Sequence, residues 1–419
     1  MKNLRLFRRL SCATTACVFL FTGMISAHAA TITVTTTTDE LADPGPGAGC
    51  SLREAIQSIN SAANYGGCTG TAYGTSDTIN IPAGTYTVTI SGVEEYLNAN
   101  GSFDILKNVS IVGAGANLTT INGGGLDRVF FIESSAATVS ISGVTVTNGL
   151  SGGGSGIYNN GGTLTVTNST FNNNTATGGS SCGGAIAGSL NRPLTVTNST
   201  ISGNSSVWCG GGIISWGSFT VANSTISGNS STYGGGIFRG ASGGGASTVT
   251  NSTIIGNSAS NGAGIWDDGG GTVTLANSIV ANQISGADCG GASIVSGGHN
   301  LESATSCGFT GTGDLQNTDP LLGALASNGG PTQTMALTAS SPAINAGDNA
   351  ICAASPVSNV DQRGYVRPAG AGCDIGAYEY APIPPVSVAT PIPTLSEWAL
   401  IMLAGWLGLA GLVNMRRKN

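Results

Sequence analysis

The acid–base candidates of this 419-residue chain cluster in one place: Arg239, Asp267 and Asp268. A polysaccharide lyase needs an acidic cluster for Ca²⁺ and a basic residue acting on the sugar, and a glycoside hydrolase needs two carboxylates flanking the scissile bond. Arg239 and Asp267 each stand two residues after the isoleucine of a Gly-Ile pair, Ile237 and Ile265, so they share a column. They read as a surface ion pair rather than as a catalytic couple. Asp268-Gly269-Gly270-Gly271 is too weak a match for a Ca²⁺ loop, and neither a metal nor a cofactor is expected. Of the two histidines only His299 lies beyond the first thirty residues, which removes most zinc and Ser-His-Asp arrangements.

A second candidate is apolar. One step after the isoleucines of the Gly-Ile pairs stand Tyr158, Ala187, Ile214, Phe238 and Trp266, and alternation turns this position away from the isoleucine side. Exposed, Tyr158, Phe238 and Trp266 form an aromatic stripe that could stack on sugar rings. The preferred expectation is that they pack under a turn or the capping loops, because large exposed apolar patches are uncommon.

Cysteine supplies the third chemistry. Eight follow the first thirty residues: Cys50, Cys68, Cys182, Cys209, Cys289, Cys307, Cys352 and Cys373. An even count in an exported chain points to disulfides. Cys182 and Cys209 each precede a Gly-Ile isoleucine, Ile186 and Ile213, by four residues, so they fall in register on adjacent coils and should be joined. Neighbour pairing is expected for the rest.

What positions these residues is a repeat. VTNSTFNNN at Val166, VTNSTISGN at Val196, VANSTISGN at Val221, VTNSTIIGN at Val249 and a degraded LANSIVANQ at Leu275 place Asn168, Asn198, Asn223, Asn251 and Asn277 in one column. Apolar residues alternate with Thr, Asn or Ser, a strand pattern rich in β-branched residues. Gly-Ile pairs at Ile157, Ile186, Ile213, Ile237 and Ile265 add a second strand, and Ile201, Ile226 and Ile254 leave room for a third. Short units that cannot bury an apolar edge alone must stack, which predicts an all-β, right-handed parallel β-helix. Asn174, Asn204, Asn229 and Asn257, six residues after four of the anchors, read as a second asparagine ladder, and the sequons as by-products of ladders rather than glycan sites.

Both ends carry addresses. Lys2, Arg5, Arg8 and Arg9, an apolar stretch and Ala27-His28-Ala29 read as a secretory signal peptide over residues 1–29. A Pro-rich linker at 381–391 leads to Ile392, Pro393, Thr394, Leu395, Ser396, Glu397 and Trp398, an apolar run and Arg416-Arg417-Lys418, predicting a transmembrane sorting helix within 392–419. Seven of the 14 basic residues sit at the extreme ends, four before residue 10 and three after residue 415; over residues 31–397 the remaining seven face all 21 acidic residues, a balance of 7 − 21 = −14. Such a body is a poor partner for nucleic acid or acidic polysaccharide.

Three segments resemble known families. The tail resembles the IPTL-type carboxy-terminal sorting signals of Gram-negative bacteria. This resemblance implies export machinery and a membrane transpeptidase as partners, an inner-membrane intermediate, and display at the cell envelope or surface; a permanent single-span anchor is the alternative. Cys50-Ser51-Leu52-Arg53-Glu54-Ala55-Ile56 is similar to the CSLREA segment that precedes bacterial surface β-helices. There Ser51 and Glu54 form a capping box, and the helix they open should close the first coil within an N-terminal cap at 30–74. Asp319-Pro320-Leu321-Leu322, Asn328-Gly329-Gly330-Pro331-Thr332, Asp361-Gln362-Arg363-Gly364 and Cys373-Asp374-Ile375-Gly376 resemble a choice-of-anchor domain, here 315–380, after β-helix repeats at 75–314. The resulting expectation is an exported, surface-sorted β-helix protein, a non-enzymatic adhesin or envelope or carbohydrate-binding module with a glycan or cell-surface ligand. A pectate-lyase-like lyase or glycoside hydrolase is the alternative.

Overall fold

The computed structural model describes residues 29–41, 47–92, 95–133, 137–188, 190 and 192–381. The expected leader, but for Ala29, the sorting motif Ile392–Trp398 and the expected transmembrane helix lie outside the described residues. No helix among the described residues is long and apolar enough to cross a membrane.

Alternation becomes three stacked parallel sheets. The first has ten strands, the second nine and the third eight. One repeat shows why. Ile213–Ser215 lies in the third sheet, Phe219–Ala222 in the first and Thr225–Ser227 in the second. Each pairs in parallel with its equivalents one coil away: Ile213 with Ile186 and Ile237, Val221 with Val196 and Val249, and Ile226 with Ile201 and Ile254. Inward side chains are fully buried along all three columns, so identical residues stack into one continuous core. The third strand per repeat is therefore real, and the solenoid is a parallel β-helix.

Two asparagine columns behave differently. At the second sheet's exit, Asn174, Asn204, Asn229 and Asn257 are buried, and each Nδ2 donates to the amide oxygen one coil on, at 2.9, 3.0, 3.0 and 3.3 Å. Gln283 receives the last of these bonds. The anchor column makes such a bond at one step only, from Asn277 Nδ2 to Asn251 Oδ1 at 3.4 Å. Asn168, Asn198, Asn223, Asn251 and Asn277 all take φ between 45° and 51°, the left-handed turn between first and second sheets that asparagine tolerates. The ladder in that turn is made by serine: Ser169, Ser199 and Ser224 donate their backbone N–H to the hydroxyls of Ser199, Ser224 and Ser252.

The cap boundaries also shift. Helix α1, Leu52–Ser61, opens on the expected Ser51–Glu54 capping box and buries Leu52, Ile56 and Ile59 on the core. Yet Thr31–Thr33 already pairs with Thr78–Asn80, so the first sheet begins ahead of the helix rather than at residue 75. At the other end the last parallel bridge joins Leu301 and Leu315. The following residues fold back along the asparagine turns. Thr200 Oγ1 donates to the Gln333 carbonyl, Gln362 Nε2 to Thr200 Oγ1, Asn223 Nδ2 to the Val360 carbonyl, and Asp348 N to Asn277 Oδ1. Up to Glu379 the described chain is one compact unit.

Candidate functional site

The outward column of the third sheet runs in strict register from Asp104 through Phe131, Tyr158, Ala187, Ile214 and Phe238 to Trp266. Over Ala187 to Trp266 it is covered. Ala187, Ile214 and Phe238 are buried with Cys209, and Cys182, Trp216, Tyr233 and Trp266 pack around them. The Cys182–Cys209 disulfide, with Cα atoms 4.6 Å apart, ties together the two connections that lie over this face. The other bridges join Cys50 to Cys68, Cys289 to Cys307 and Cys352 to Cys373, all near neighbours in sequence. The aromatics thus divide: Phe238 is 5% exposed, whereas Tyr158 and Trp266 are half-buried. No continuous exposed stripe exists.

At the other end of the same column the covering connections carry glycine, and a groove of about 450 Å³ opens. Its lining includes Tyr96, Arg128, Phe131, Glu133, Tyr158 and Asn160, with Gly152 and Gly153 along one side. Phe131 and Tyr158 are stacked, centroids 5.6 Å apart and planes 12° apart, and Tyr96 lies 4.9 Å from Phe131. The Arg128 guanidinium sits 5.1 Å from the Phe131 ring centre and 5.2 Å from that of Tyr158. This is cation–π distance, which holds the rings and leaves a polar rim. Asn160 Nδ2 donates to Glu133 Oε2 at 3.1 Å. A second hollow of about 390 Å³, lined in part by Leu190 and Trp216, shares Tyr158 and Asn160 with the first.

The floor of the groove rests on Asp104. It is fully buried, accepts from Ser102 Oγ at 2.6 Å and from the Asn98 N–H at 2.8 Å, and so fixes the turn that presents Tyr96. Burial pushes its carboxyl up to about 7, and the nearby Glu95 charge raises it further against the lowering effect of those hydrogen bonds and of Arg53.

The charged candidates lie elsewhere and in a different state. Arg239 and Asp267 do pair, at 2.9 Å, but both side chains are wholly buried, which corrects the surface reading. Arg239 also donates to the carbonyls of Gly243, Gly245 and Gly269, and Asp267 accepts from the Ser293 and Gly269 N–H groups. The Gly240–Gly245 connection wraps the guanidinium, and Arg239, two residues after Ile237, lies on the same side of the strand as the buried isoleucine column, so alternation already argued against exposure. Asp268 is exposed beside them, its N–H bonded to the Arg239 carbonyl. Among the described residues no group of three or more His, Cys, Asp and Glu side chains is placed to hold a metal ion.

Sequence reasoning found Tyr158 and missed the groove around it. Tyr96, Arg128, Phe131 and Glu133 belong to early coils where the repeat is degraded and the column isoleucine is replaced by Phe130, while Asn160 follows Tyr158 by two residues in a regular coil. Aligning Phe130-Phe131 with Ile157-Tyr158 was the one signal that would have extended the column.

Residues 390–417 match the IPTL-CTERM motif, which marks the chain as exported and sorted to the cell surface or envelope. No curated protein matches the sequence. Among solved structures, the chain is similar to the crystal structure of pectate lyase Pel9A at 15% identity and a TM-score of 0.44, over 72% of this chain and 88% of that one. A likeness at that level assigns neither substrate nor activity.

Proposed function

We propose that this chain is a surface-displayed, non-enzymatic carbohydrate-binding module or adhesin, and that it takes neutral sugar chains through the groove at Tyr96, Phe131 and Tyr158. The observation that carries this reading is the ring set itself, the accessible Tyr96 and Tyr158 rings held against the buried Phe131 ring, with a rim of Arg128, Glu133 and Asn160 able to donate and accept. Pyranose rings present an apolar face to such rings and hydroxyls to such a rim. Glu133 is the single carboxylate among the described lining residues, whereas hydrolysis calls for two. The −14 balance of the body favours neutral over acidic polymers. Retention in the inner membrane and transfer by a transpeptidase belong to the same reading, supported by the sorting motif.

The test is a glycan array with the exported protein, followed by calorimetry on the best neutral oligosaccharide. Tyr158→Ala should weaken binding about tenfold or more while changing stability by less than about 1 kcal/mol. Failure of the unaltered protein to bind any neutral glycan overturns the reading. Release of reducing ends or unsaturated products instead promotes a hydrolase or lyase.

A further inference from the structure

The chain enters the first sheet without slack. Thr31 pairs with Thr78, and the Thr78 N–H donates to the Ala30 carbonyl at 2.8 Å. The Ala30 nitrogen points the other way and donates to Asp77 Oδ1 at 2.7 Å. Ala30 is fully buried, while Ala29, one residue earlier, is exposed. The solvent boundary therefore falls on the peptide bond between them.

Asp77 has an unusual set of partners. It is 2% exposed, and its oxygens accept from the backbone N–H groups of Ala30 and Gly74. It takes part in none of the five ion pairs of the described residues, although the other buried acids Asp267 and Glu379 each hold an arginine. A carboxylate taken out of water is costly unless a full positive charge accompanies it.

We infer that leader removal hydrolyses the Ala29–Ala30 peptide bond and that the new α-ammonium group of Ala30 is the counter-charge of Asp77. Water adds across the bond: Ala29 leaves with the leader as a carboxylate, and the Ala30 nitrogen stays with the body and takes up protons to become –NH₃⁺. An envelope peptidase that reads small residues at Ala27 and Ala29 is the catalyst. Cleavage at that bond places a positive charge within hydrogen-bond distance of a buried negative one, through a contact the fold already makes. Export and completion of the fold are thereby linked, because the processed chain holds an ion pair that the precursor lacks. The inference rests on export of the chain and is independent of what the groove binds.

Two measurements test it. Amino-terminal sequencing of the protein recovered from the envelope should begin at Ala30; any other first residue overturns the inference. A double-mutant cycle then crosses retention of Ala29 with Asp77→Asn. Each change alone should lower the folding equilibrium constant about tenfold, and the two together should cost little more than one, since both remove the same pair. Effects that multiply independently overturn the ion pair. Should Asp77→Asn fail to fold, the Ala29-retaining form decides alone, and a folding constant equal to that of the Ala30-start form refutes it.

Discussion

Tyr158 and Phe238 occupy the same outward line of the third sheet, yet one is half-buried at the edge of an open groove and the other is sealed in a secondary core. The strands that carry them are alike; the connections that precede them are not. Gly152 and Gly153 pass over the Tyr158 coil without covering it, whereas Cys182, Cys209 and Tyr233 lie across the later coils and bury what is beneath. Strand geometry decides where a side chain points, and the neighbouring connection decides whether solvent reaches it. A repeat protein can thus keep one register throughout and still concentrate binding at one end.

The largest effect should come from the sealed end. Asp267→Ala leaves the buried Arg239 charge without its partner and should destabilise by about 3–5 kcal/mol in chemical denaturation. Asp268→Ala, exposed next to it, should stay within about 0.5 kcal/mol. Equal effects of the two would break the distinction between enclosed and open positions.

Removing the staple over the covered face sharpens the comparison. The double change Cys182→Ser with Cys209→Ser opens a link spanning 27 residues and should cost about 3 kcal/mol on the chain-entropy account. Glycan binding at the Tyr158 end should be unchanged. Loss of binding together with stability would show that the two ends act as one.

The smallest effect is a difference in pH response. The Asp104 carboxyl is raised in the folded chain, so its contribution to stability is complete below about 4 and is lost as pH rises through about 7. The Tyr96 end should therefore loosen toward neutral pH in a way the hydrocarbon-packed Phe238 end does not. Burial also raises Asp288 and Glu302 near the far cap, so the unaltered protein alone is not diagnostic. Asp104→Asn should flatten the stability profile between pH 4 and 7, and an unchanged profile refutes the assignment.

Much of this was legible in the residues because neighbouring coils in a solenoid are close in sequence. Ser51 and Glu54 announced the capping box, the offsets of Cys182 and Cys209 announced their bridge, and the spacing of Asn204 and Asn229 announced the amide ladder. Each is a contact between residues fewer than thirty positions apart. Asn168 and Asn223 are ambiguous for a local reason: asparagine serves a ladder and a left-handed turn equally well, and only the folded backbone shows that these two serve the turn.

Sequence by itself determined the period, the inward columns, the neighbour disulfides and the carboxy-terminal sorting motif, since these follow from alternation, spacing and composition. Tertiary structure alone decided which outward positions are covered. Gln362 meets Thr200 across 162 residues, and the connections that carry Cys209 and Tyr233 close over Phe238; both set burial through where a distant or irregular backbone travels. Strand periodicity carries no information about that path, because irregular connections have no repeat from which to read it.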